Sequence, residues 1–144
     1  RLSAAAIRKL SAVSSKMPKD PGVATQLASR YAALGLHAEA RRVLFRVVQQ
    51  HDAKSTAKSG GQQAQLLGQV DFQLSRCCVG DRQKQVEYAT QSFYLNPTIG
   101  FGKQIARIIA PEKFDGRPEG DFDNIFREAT LTRLKSERAE WLSD

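Results

Sequence analysis

Two cysteines, two histidines and no long apolar run are the scarcities that bound this 144-residue chain. Cys77 and Cys78 are adjacent, a poor placement for bridging each other, and two cysteines make no disulfide framework. His37 and His51 have no companion at ligand spacing, so no structural zinc site is expected. No window approaches the roughly 18 uninterrupted apolar residues of a membrane span, so no transmembrane segment is expected. At this length a sizeable core forms without covalent staples.

Signatures of chemistry are missing as well. AKSGGQQAQ, residues 57–65, has glycines and a lysine but not the order of a phosphate loop, and no strand precedes it. GFGKQI, Gly100 to Ile105, lacks the G-x-G-x-x-G order and reads as a helix start where another backbone comes close. Asp115, Glu119, Asp121 and Asp123 cluster in a turn-rich segment without the order of a calcium loop, which suits capping and solvation. Cys77 and Cys78 fall near the C-terminal end of a helix, where the dipole disfavours a thiolate, so packing is their expected role. The expectation is a protein that is not an enzyme, with no catalytic, cofactor-binding or metal-ligating residues.

What is present begins with charge. The chain carries 22 Lys+Arg against 15 Asp+Glu, a net charge of +7. Residues 1–61 hold eleven basic and three acidic side chains, whereas residues 111–144 hold six and nine. A basic front with an acidic tail suits an anionic partner, whether RNA, lipid headgroups or an acidic protein; a solvated basic surface gives the same composition. The first residue is Arg1 rather than Met, as removal of an organellar presequence would leave it.

Apolar spacing of three and four predicts helices almost throughout. Leu2, Ala5, Ala6, Leu10, Val13 and Met17 share one face, and Pro18 and Pro21 bracket a break. Asp20 is an N-cap and Pro21 suits the first helical position of a helix to about Leu34. Gly35 then ends that helix in the left-handed conformation, and Ala38–Gln50 returns. Asp71–Pro97 repeats the arrangement, with Gly80 as the turn and Asp81 as the next cap. Lys54–Gln63 reads as a flexible polar loop between the two hairpins. Thr98 caps a helix over Ile99–Ile109, Pro111–Asp121 is a turn-rich linker, and a last helix covers Phe122–Leu142.

The hairpins resemble the tetratricopeptide repeat, whose pattern runs large residue, Leu-Gly, Tyr, then Ala, a bulky residue and Pro within about 34 residues. Leu27, Ala28, Tyr31, Gly35, Ala40 and Leu44 match it in the first hairpin, which has Ala24 and Asp52 where the pattern has a large residue and proline. Phe72, Gly80, Ala89, Ser92 and Pro97 match in the second, offset by 45 residues, while Gln69, Gln73, Arg76 and Gln85 depart from it. A generic helical bundle shows similar periodicity. The resemblance implies an all-α fold: a short solenoid of antiparallel hairpins with added N- and C-terminal helices. The expected division is a helical-hairpin domain over 1–110, then a linker and charged helix over 111–144.

By that resemblance the first helices of the hairpins line a groove formed by Thr25, Ser29, Ala32, Val70, Leu74 and Cys77. The lysines and asparagines with which family members grip chaperone tails are missing there, so a helix is the expected guest. A second expected surface is basic: Arg8, Lys9, Lys16 and Lys19 with Arg41, Arg42 and Arg46. A third is the tail, taken to project with Trp141 as an anchor. The expected function is a structural or adaptor subunit of a large mitochondrial assembly, such as a respiratory-chain or ATP synthase accessory subunit. The alternative is a mitochondrial ribosomal protein that touches rRNA without reading its sequence, since no base-stacking aromatics accompany the arginines. The matrix, or the matrix side of the inner membrane, is the expected location, with the cytoplasm as the other choice.

Overall fold

A computed structural model describes residues 4–16, 19–78 and 80–144, with the side chain of Ile99 excepted. Leu2 and Met17 of the predicted first helix, and Pro18 of the break after it, lie outside the described residues. The fold is all-α, and no strand occurs among the described residues. In order, the helices are α1 (Ala4–Lys16), α2 (Pro21–Ala33), α3 (His37–Gln49), α4 (Ala53–Ser59), α5 (Gly61–Cys77), α6 (Arg82–Leu95), α7 (Ile99–Ile109), α8 (Phe122–Phe126) and α9 (Thr132–Ser143).

The first hairpin forms as its residues dictate. The carboxylate of Asp20 accepts from the amides of Gly22 and Val23, and Pro21 opens α2. Replacing Asp20 with alanine strands those two donors. The expected loss is about 1 kcal/mol in urea unfolding. Gly35, at φ +76°, closes α2: its amide donates to Ala32 and that of Leu36 to Tyr31, the two bonds that satisfy the last carbonyls of a helix. α3 then runs back along α2, so that His51 beyond its end meets the carbonyl of Lys19 before α2.

The second hairpin, α5 and α6, is antiparallel too. The helices approach closely at Gly68, where an added Cβ would lie 3.1 Å from the carbonyl oxygen of Ser92 and 3.2 Å from the Cβ of Asn96. Leu67 and Gly68 are buried on α5, whereas Phe72 is half-buried and packs against the second core. The expected loop over Lys54–Gln63 is corrected. Asp52 caps a two-turn helix, α4, which buries Ala57, and Gly60 and Gly61, both at positive φ, turn the chain into α5.

α5 packs on α2, α3 and α6, and α7 follows α6. One core lies among α2, α3 and α5, with Leu44, Val47, Val70 and Leu74 buried. A second joins α6 and α7 to the C-terminal segment through Phe93, Ile105, Phe114, Phe126 and Leu134. Each such side chain contributes roughly 1.5–3 kcal/mol by leaving water. The core thus crosses the sequence division at residue 110.

The last helix is not a plain rod. Arg127–Leu131 forms a π-turn between α8 and α9. Eight residues of α-helix turn through about 800°, which would set Leu134 about 80° round from Phe126. The wider turn takes up that offset, and both side chains are fully buried. Nor does the tail project. The Arg138 guanidinium donates to the Tyr94 carbonyl at 2.7 Å, and the Trp141 ring lies 5.0 Å from that of Tyr94, beneath the Lys54 ammonium. Trp141 touches both cores, so it anchors this chain to itself.

Candidate partner-binding trough

α2, α5 and α7 carry three neighbouring depressions that share lining residues. The first, about 350 Å³, lies between α2 and α5 and is lined by Thr25, Ser29, Arg30 and Gln73. The next, about 190 Å³, shares Ser29 and Gln73 with it and adds Ala32, His37, Arg76 and Cys77. Arg76 also lines the third, about 870 Å³, which α5 and α7 form with the Pro111–Phe122 segment. Four of the six expected groove residues are thus brought together: Thr25, Ser29, Ala32 and Cys77. Val70 and Leu74 are not, which corrects the expectation. They face α2 and α3 and are 0% and 1% exposed. The residues that replace them, Gln73 and Arg76, stood out in the sequence only as departures from the repeat pattern.

Cations sit along the helical side of this trough. The Arg76 guanidinium lies over the Phe72 ring at 5.8 Å, and that of Arg107 over Phe122 at 4.9 Å. Lys103 pairs with Asp123 at 3.2 Å. Hydrogen bonds from Arg127 and Lys103 hold the Asp123 carboxyl below the usual carboxylate range. Asp115 and Glu119 line the opposite rim. Burial pushes the Cys77 and Cys78 thiols up, so neither is poised as a nucleophile.

The expected basic face is divided. Arg8 and Lys9 are exposed on α1, which packs on α2. Lys16 and Lys19 flank an open depression with His51 and Gln62. Arg41, Arg42 and Arg46 lie exposed on α3, where Phe45 is 44% exposed among them. Leu34 and Leu36 are exposed at the adjoining turn.

One polar group escaped sequence reasoning altogether. Asp71 is fully buried on the α5–α6 seam, where its Oδ2 accepts from Gln91 at 3.0 Å and its Oδ1 has no partner. Burial raises its pKa to about 7, against the lowering effect of the Gln91 bond. Its place in a helix seam, rather than in the trough, makes it a folding determinant. Among the described residues no group of three or more His, Cys, Asp or Glu side chains could hold a metal ion, and no helix is long and apolar enough to cross a membrane. No known protein family, curated protein or solved structure matches this chain.

Proposed function

We propose that the chain is a non-catalytic adaptor, a structural subunit of a larger protein assembly, whose trough receives a segment of a partner. The observation that carries this reading is the succession of three depressions along α2, α5 and α7, the first two sharing Ser29 and Gln73 and the last two Arg76 as lining residues. Support for a tetratricopeptide-like stack comes from the helix order and from Leu67-Gly68, a Leu-Gly pair like that of the pattern, at a close approach of α5 and α6. Placement in a mitochondrial complex, of the respiratory-chain or ATP synthase kind, rests on the net charge of +7 and the basic first half.

The test is affinity purification from the native source with quantitative mass spectrometry. Ser29→Trp, which fills the trough from an exposed position in two of its depressions, is expected to lose the partner while keeping the melting temperature. Arg42→Glu with Arg46→Glu is expected to retain it. The exposed arginines and Phe45 of α3 favour a second reading, contact with rRNA. Under that reading the α3 variant loses its partner, and affinity falls steeply with salt.

A further inference from the structure

We infer that the trough takes an acidic amphipathic segment of a partner protein, carboxylates toward the arginines of α5 and α7 and apolar side chains toward the ring-lined floor. The inference rests on the adaptor reading and names the partner's chemistry. Arg30, Arg76 and Arg107 enter none of the ion pairs among the described residues, and no carboxylate lines the trough from α2, α5 or α7. The helical wall of the trough therefore carries arginines without an ion-pair partner among the described residues, which a guest carboxylate can pair.

Two of these cations are held in place. A guanidinium lying on a ring keeps its N–H groups free for a carboxylate, to which it donates as a planar fork. Phe72 and Phe122 hold Arg76 and Arg107 in that way on two walls of the largest depression, and each ring is itself fixed edge-on by another, Phe101 and Phe114. Little side-chain entropy is left to lose when a carboxylate arrives. Ile108 and Pro111 add apolar surface between the charges.

The same arrangement disfavours a nucleic acid. One face each of Phe72 and Phe122 is covered by a guanidinium group, which leaves less ring for bases to stack on. Asp115 and Glu119 on the far rim repel a phosphate chain that fills the depression. They leave room for a segment whose carboxylates lie along one edge only.

The experiment selects peptides from a random-sequence display library on the full chain, then measures the consensus peptide by fluorescence anisotropy and maps it by backbone amide shifts. The expected peptides pair Asp or Glu with Leu or Phe at helical spacing and shift the amides of Gln73, Arg76 and Arg107. Affinity is expected to fall at least tenfold in Arg76→Gln/Arg107→Gln, checked as folded by its melting curve. It is expected to rise severalfold in Asp115→Asn/Glu119→Gln, because the repulsive rim is gone. Peptides that shift the trough amides without acidic residues, or whose affinity the arginine variant leaves unchanged, overturn the acidic partner and leave the adaptor reading standing. A selection in which no peptide shifts the trough amides overturns both.

Discussion

Asparagine in place of Asp71 is expected to stabilise the fold at pH 8 and to flatten its pH dependence. The carboxyl is 0% exposed, and its one hydrogen bond in the structure comes from Gln91. Burial raises its pKa to about 7 in the fold, against 3.8 for an ordinary aspartate carboxyl. The native state therefore binds more protons than the unfolded chain between those values. The stabilising contribution of the neutral acid is fully present below about pH 4 and is lost as pH rises through about 7. Above that, a carboxylate is held in an apolar seam with one donor. Each unit of displacement corresponds to about 1.4 kcal/mol, so the rise from 3.8 to about 7 puts about 4 kcal/mol at stake. The nearby titratable group is Tyr88, whose phenol burial pushes above its ordinary range, so it adds no slope in this window. The measurement is urea unfolding of both proteins at pH 4.5, 6 and 8. Wild-type stability should fall relative to Asp71→Asn across the series, and a constant difference between the two would rule out the buried acid as the source.

Asp71 also shows where sequence reasoning stopped. Helix positions were legible because they depend on local chemistry. Asp20, Asp81 and Thr98 cap the helices expected of them, and Gly35 and Gly80 turn at φ +76° and +87°. Packing was not, because it depends on which pairs of helices touch. Anchoring the second hairpin on Gly80 made Phe72 its first packing residue. α5 runs to 17 residues where α2 has 13, and it buries Leu67 and Gly68 while Phe72 stays half-buried. The trough followed the packing, so two of its expected residues proved to be core and Arg76 entered in their place. The tail was misread for a related reason. Its many charges suggested exposure, yet one arginine, Arg138, reaches a carbonyl on α6, and half-buried Trp141 does the anchoring. Lys54–Gln63 looked like a loop from its glycines and polar residues, although Asp52 and Ala57 already supplied a cap and a buried face.

The paired glycines of α7 give the sharpest test of packing, because alanine at each is expected to act with opposite sign. At Gly100 an added Cβ meets nothing within 4 Å, so the substitution gains helix propensity alone, up to about 1 kcal/mol. At Gly102 the Cβ would lie 2.5 Å from the Cζ of Phe126 and 3.0 Å from the Cε1 of Phe93. Both rings are 0% exposed, so neither can swing into solvent. Overpacking of this kind costs about 1–3 kcal/mol, which exceeds the propensity gain at its upper end. Gly102 is where α7, α6 and α8 meet, so relief would have to shift whole helices. We expect Gly102→Ala to lose about 2 kcal/mol in urea unfolding and to lower the melting temperature, while Gly100→Ala leaves it unchanged or raised. Shortening the opposing ring in Gly102→Ala/Phe126→Leu should recover part of the loss, giving a coupling in a double-mutant cycle. Additive effects, or a Gly102→Ala protein as stable as Gly100→Ala, would mean that α7 does not seat against Phe126 as described, and with it the wall that carries Arg107 would be misplaced.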